Sequence, residues 1–132
     1  MRLVPNQNPE KVKGQLCDYL TENAPNDIQW EVKHFSSNPA CITNLDFYAV
    51  RCFSEALKSV WGTEPVYLRG GGSIPIVSHF KSILGIESVL GGFSLPEDNI
   101  HSPNEKLDLE MYKKGVEAVI HFICLLTGKY GE

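Results

Sequence analysis

A chain of 132 residues with 42% hydrophobic and 21% charged side chains has the balance of one ordinary globular domain, which argues against intrinsic disorder. Twelve basic against sixteen acidic side chains give a net charge of −4, and no Lys/Arg cluster is interleaved with aromatics, so nucleic acid is not an expected partner. The opening MRLVPNQNPEK lacks a signal-peptide apolar core and the longest apolar run is the short VIHFICLL, so neither a secretory leader nor a membrane span is expected.

MRLVP reads as a strand, and NPEKVKGQLCDYL as a helix with Asn8 at its N-cap, Pro9 at its first position and Val12, Leu16, Tyr19 and Leu20 on its apolar stripe. DIQWEVKHF then alternates Ile28, Trp30 and Val32 with Gln29, Glu31 and Lys33, the period of a half-buried strand, completing a β-α-β unit near Phe35. After SSNPA, NLDFYAVRCFSEALKSVWG predicts a helix capped by Asn44 and stopped by Gly62, with Leu45, Tyr48, Ala49, Cys52, Phe53, Ala56 and Val60 inward. EPVYLR is a short strand running into three consecutive glycines, and Pro75 opens a helix that ends before Gly85. IESVLGGF reads as a buried strand and SLPEDNIHSPNEK as a polar loop. The last helix is capped by Asp108 and runs to about Thr127, with Met111, Tyr112, Val116, Val119, Ile120 and Ile123 on its stripe. This alternation of helices and strands predicts an α/β fold, a parallel or mixed sheet covered by helices.

Few side chains are placed to do chemistry. Cys17, Cys41, Cys52 and Cys124 are scattered with no C-x-x-C pair, which predicts reduced, mostly buried thiols and a cytosolic compartment. The turn RGGGSIP joins a strand to a helix, where backbone N–H groups and the positive end of the helix dipole suit an anionic group. A tight connection with Ser73 as helix cap accounts equally for the same residues. It is not a nucleotide fingerprint, since the phosphate-loop lysine is missing and Pro75 stands where the third glycine of G-x-G-x-x-G belongs. His101 lies on the loop after a predicted buried strand, where open α/β sheets place ligand sites, and is a candidate metal ligand or general base, or simply a solvent-facing side chain. His34, His79 and His121 show no ligand spacing, and His121 stands four residues after Glu117 on the last helix, a position suited to pairing. Arg2 is a lone arginine in an apolar strand, and its planar fork suits a carboxylate or a snorkelling edge position.

Taken in order, RLVPNQNPEKV, RGGGSIP and NIHSPNEKLDLEMYKKGVEA closely resemble the C-terminal part of the zinc metallopeptidase family that includes carnosinase-type dipeptidases, aminoacylases, acetylornithine deacetylase and succinyl-diaminopimelate desuccinylase. The resemblance covers nearly the whole chain, and RLVPNQ is most similar to the dipeptidase branch. It implies that residues 1–38 form the end of a lid domain that mediates dimerisation, as its last β-α-β. Residues 39–132 would then form the C-terminal half of a catalytic domain built on a helix-covered mixed sheet.

The same resemblance assigns roles. His101, the histidine of HSPNE, takes the place of the family's C-terminal metal ligand; Arg2 takes that of the arginine that grips the substrate's terminal carboxylate; Gly72 and Ser73 take those of residues lining the substrate site. Gly70 departs from the acidic residue often found after the turn's arginine, and Asn104 and Glu105 are expected to hold the loop in shape. The family's remaining metal ligands and its Glu-Glu pair, which carries the general base, lie upstream of the matching region. Met1 directly against Arg2 therefore reads as a start inside an element. A hydrolytic zinc site needs about three protein ligands and an open position, which one imidazole cannot supply. The expectation is thus a fragment of a zinc-dependent, cytoplasmic, homodimeric dipeptidase, inactive until joined by a missing N-terminal half. A fragment of an N-acyl amino acid amidohydrolase and a non-catalytic dimerisation module are the alternatives.

Overall fold

In the computed structural model, residues 1–70 and 74–128 are described. They contain four α-helices and one short 3-10 turn: α1 (Pro9–Asn23), α2 (Tyr48–Trp61), α3 (Pro75–Leu84), the 3-10 turn Pro96–Asp98, and α4 (Leu109–Thr127). The chain divides into two compact units. One comprises Met1–Ile42 with Leu68–Ser88, the other Thr43–Tyr67 with Val89–Glu132.

The helix ends follow local chemistry. Asn8 caps α1 by accepting a hydrogen bond from the Lys11 amide at 3.0 Å, with Pro9 at the first position, where its missing N–H would have had no partner in any case. Asp108 does the same for α4, accepting from the Met111 amide at 2.9 Å. Gly62 and Gly85 end α2 and α3 with φ of 72° and 67°, a left-handed geometry that side-chain-bearing residues adopt only at a cost. The start of α2 departs from the expected cap. Asn44 turns its side chain to the Asp46 amide at 3.0 Å and its carbonyl accepts from the Phe47 amide at 3.1 Å, so it closes a turn and the helix begins four residues later at Tyr48.

The expected mixed α/β sheet is not found among the described residues. Apart from an isolated bridge residue at Leu3, the segments read as strands carry no regular structure. Alternating polarity states which face of an extended segment is apolar; a strand exists only when a neighbour supplies ladder hydrogen bonds. Among the described residues no ladder partner is assigned to residues 28–35, and Ile28, Trp30 and Val32 are 53%, 43% and 39% exposed.

The second unit is built on α2 packed against α4. Ala56 and Ala118, one on each helix, are fully buried, as are most of the surfaces of Val50 and Cys52. Phe53 meets Phe122 edge-on with centroids 5.2 Å apart, and Trp61 stacks on Phe93 at 5.8 Å with the planes 7° apart. The Tyr48 hydroxyl donates to the Leu125 carbonyl at 3.2 Å, and Ser59 Oγ lies 2.7 Å from His121 Nδ1, tying both ends of the helix pair. The side of α4 turned inward is that of Gly115 and Ala118. Tyr112, Val116, Val119, Ile120 and Ile123, expected on the buried stripe, are exposed. The thiols depart from expectation in the same direction: all four are free, but only Cys52 is buried.

Candidate functional site

In the first unit, the RLVPNQ segment folds into a tight turn. The Gln7 amide donates to the Val4 carbonyl at 3.3 Å, the Gln7 side chain accepts from the Val4 amide at 3.0 Å, and Asn6 takes φ of 68°. Asparagine tolerates that conformation better than most residues. With Leu3 buried as an anchor, Arg2 is left exposed and its Nη1 donates to the Gly70 carbonyl at 3.4 Å. Arg2 thus reaches the first glycine of the turn, and lines a groove of about 490 Å³ together with Ile74 and Pro75, which follow it. Gly72 and Ser73, the other expected substrate-site residues, lie outside the described residues. The N-cap position of α3 is held by Ile74, and no side chain caps the helix there. Ser78 Oγ bonds back to the Pro75 carbonyl at 2.8 Å, and Lys81 ties the far end of α3 by donating to the Ile42 carbonyl at 3.1 Å and pairing with Glu87 at 2.6 Å. The hydrogen bond it donates to the Glu87 carboxylate holds the Lys81 ammonium above its ordinary pKa.

His101 belongs to the second unit. It sits in a loop in which three residues without the freedom of glycine take left-handed backbone, Asn99 at φ 54°, His101 at 61° and Asn104 at 60°. Each such residue costs about 1–2 kcal/mol, so the loop persists only because its surroundings over-determine it. Asp98 does most of that. Its side chain is 2% exposed, and its Oδ2 accepts from the Leu95 amide at 2.7 Å while its own amide donates to the Leu95 carbonyl at 3.0 Å. Its carbonyl accepts from the Lys106 amide at 3.0 Å, and the Lys106 ammonium stands 3.4 Å from its Oδ1, closing the loop at the base. Ser102 bonds the Asn99 carbonyl through both its amide, at 3.0 Å, and its hydroxyl, at 2.7 Å. The imidazole of His101 is exposed above this frame. Sequence reasoning looked to Asn104 and Glu105 to hold the loop; both are exposed, and the buried carboxylate three residues before the histidine is what holds it. A Pro-Glu-Asp turn directly before Asn was the available signal.

Among the described residues no three His, Cys, Asp or Glu gather closely enough to hold a metal ion. A catalytic zinc takes about three protein ligands, so the residues described here do not by themselves fit one. No helix among them is long and apolar enough to cross a membrane.

The profile of peptidase family M20/M25/M40 matches residues 4–124. The chain belongs to that family. Curated relatives include the Cys-Gly metallodipeptidases of Saccharomyces cerevisiae, 31% identical over 93% of this chain and 26% of its own length, and of Schizosaccharomyces pombe, 29% identical over 93% and 26%. The beta-Ala-His dipeptidase of Homo sapiens is 30% identical over 92% of this chain and 25% of its own. A solved di-peptidase structure from Saccharomyces cerevisiae superposes with a TM-score of 0.79 at 27% identity, covering 96% of this chain and 27% of that one. An M20 family metallo-carboxypeptidase from Sulfolobus solfataricus gives a TM-score of 0.71 at 27% identity, covering 94% and 28%. The chain therefore spans about a quarter of the length of the relatives it matches.

Proposed function

We propose that the chain is the C-terminal part of a metal-dependent dipeptidase of the M20 kind, contributing substrate-positioning groups and one metal ligand to a site completed by residues outside these 132. The observation that carries this is the match over residues 4–124 combined with relatives whose names are those of dipeptidases at 29–31% identity. In this reading residues 1–38 end a dimerising lid and residues 39–132 belong to the catalytic domain, in a cytoplasmic homodimer acting on dipeptides or C-terminal peptide bonds.

The roles follow from the chemistry of the side chains. His101 is held on a strained, well-anchored loop with its ring exposed, the condition for an imidazole that donates a lone pair to a metal. Zinc, two ions in the intact enzyme, would polarise the scissile carbonyl there, and in this reading its other donors and the general base come from residues outside these 132. Arg2, exposed beside Gly70, has the planar fork that holds a terminal carboxylate in two hydrogen bonds, and Gly72 and Ser73 take the substrate-lining role that the family resemblance gives them. The test is complementation. The chain is mixed with zinc and the N-terminal three quarters of the Saccharomyces cerevisiae Cys-Gly metallodipeptidase, and Cys-Gly hydrolysis is followed. Activity is expected from the mixture, with neither part active alone, and His101→Ala abolishes it; hydrolysis undiminished by that substitution refutes the assignment.

A further inference from the structure

The 490 Å³ groove beside Arg2 carries more positive charge than one terminal carboxylate uses. Arg2, Lys13, Lys33 and His34 line it, and no aspartate or glutamate does. Val12 and Leu16 of α1 add apolar wall. Both lysines have a carboxylate at hand outside that lining, Glu10 at 3.4 Å from Lys13 and Glu31 at 3.5 Å from Lys33. Long, exposed pairs of this kind hold their partners weakly, so an arriving carboxylate can compete for either ammonium. The groove's edge already favours such a group: Ser37, which lines it, and then Lys13 hold the Glu10 carboxyl below its ordinary pKa by hydrogen bonding.

We infer that this groove selects dipeptides whose C-terminal residue carries a carboxylate side chain, aspartyl or glutamyl, and that Lys13 and Lys33 are the residues that select it. The inference rests on the proposed function for the role of Arg2, and its readout is binding, which is independent of hydrolysis. A terminal carboxylate and the side chain of the same residue branch from one α-carbon. A ligand gripped by Arg2 therefore directs that side chain into the groove that Arg2 lines. There a glutamyl side chain lays its methylenes on Val12 and Leu16 and brings its carboxylate to the two ammonium groups, displacing Glu10 from Lys13. A neutral side chain of the same shape gains no such pairing, and the difference between the two is the specificity.

The experiment titrates the full 132-residue chain with Ala-Glu and with its neutral isostere Ala-Gln, following backbone amide shifts by NMR. Ala-Glu is expected to bind about three- to tenfold more tightly, the ratio that two exposed ion pairs supply. The double variant Lys13→Gln/Lys33→Gln binds the two peptides alike, and Lys13→Arg/Lys33→Arg restores the preference. Glu10→Gln, which removes the internal competitor, tightens Ala-Glu binding at least twofold and leaves Ala-Gln unchanged. Arg2→Ala weakens both peptides by the same factor. None of these side chains is buried, and unchanged circular dichroism confirms that the variants fold. Equal affinity of the wild-type chain for the two peptides overturns the inference. So does absence of Ala-Glu binding, or a preference that the double glutamine variant keeps. A preference for Ala-Glu, in a complemented mixture that hydrolyses neither peptide, upholds the groove and removes the proposed activity; equal affinity, in a mixture that hydrolyses both with the same kcat/KM, does the reverse.

Discussion

Gly115 stands in the middle of α4, where glycine is about 1 kcal/mol worse than alanine, and a purely local argument says that Gly115→Ala stabilises the protein. Packing says the opposite. A Cβ at position 115 would lie 2.6 Å from Phe93 Cδ2 and 2.9 Å from Cγ, against a comfortable carbon–carbon separation of about 3.5–4.0 Å. The atoms struck include the root of the ring, so a swing of its far edge relieves nothing, and the ring is stacked on Trp61. Overpacking of that size costs about 1–3 kcal/mol, which exceeds the propensity gain over most of its range and leaves a net loss of roughly 1 kcal/mol. For a chain of this length that lowers the thermal midpoint by about 3–5 °C, measurable by scanning calorimetry. Gly115→Ala combined with Phe93→Leu should lose less than the sum of the two single changes, because the smaller side chain gives the methyl room. A single Gly115→Ala variant that melts at or above the wild-type temperature would show that Phe93 is not held against the helix and would refute the reasoning.

Three further outcomes are expected. In the complemented mixture, Arg2→Ala should raise KM for dipeptides by roughly ten- to hundredfold with kcat little changed, the loss of charge-assisted hydrogen bonds to a carboxylate; an unchanged KM in steady-state kinetics removes Arg2 from substrate binding. Asp98→Ala deletes the hydrogen bond to the Leu95 amide and the pairing with Lys106, and should destabilise the loop by about 2–3 kcal/mol, read as faster amide exchange across residues 95–106; protection equal to wild type contradicts its anchoring role. Glu10 is held below its ordinary carboxylate pKa by hydrogen bonds from Ser37 and then Lys13, so whatever stability it contributes is present above pH 4.5 and is lost as the pH falls through its lowered folded value. Carboxyl-carbon NMR titration should show this displacement relax in Ser37→Ala, and an unmoved titration there excludes the Ser37 contact.

What the sequence disclosed was whatever a few neighbouring residues decide. Asn8 with Pro9, Asp108, Gly62 and Gly85 each act within one turn of chain, and the ends of α1, α3 and α4 stand where those residues put them. Asn44 failed as a cap because its side chain had a second local use, closing the turn that Phe47 completes before α2 starts. The strands failed for a different reason. Ile28, Trp30 and Val32 alternate faithfully, but a ladder is a relation between two segments and no pattern inside one of them supplies the other.

The stripe on α4 makes the same distinction within a single helix. Its periodicity marks Tyr112, Val116, Val119, Ile120 and Ile123 as one apolar face, yet the side buried against the described neighbours is that of Gly115 and Ala118, because Phe93 and α2 fit against small residues more closely than against branched ones. Periodicity measures how much apolar surface a helix must hide, and packing decides which part of it the available neighbours can hide. Where the two disagree, as along Val116 and Ile120, the excess stays exposed, and in the turn before HSPNE a buried oxygen of Asp98 is likewise left with the Lys106 ammonium at 3.4 Å and no hydrogen bond.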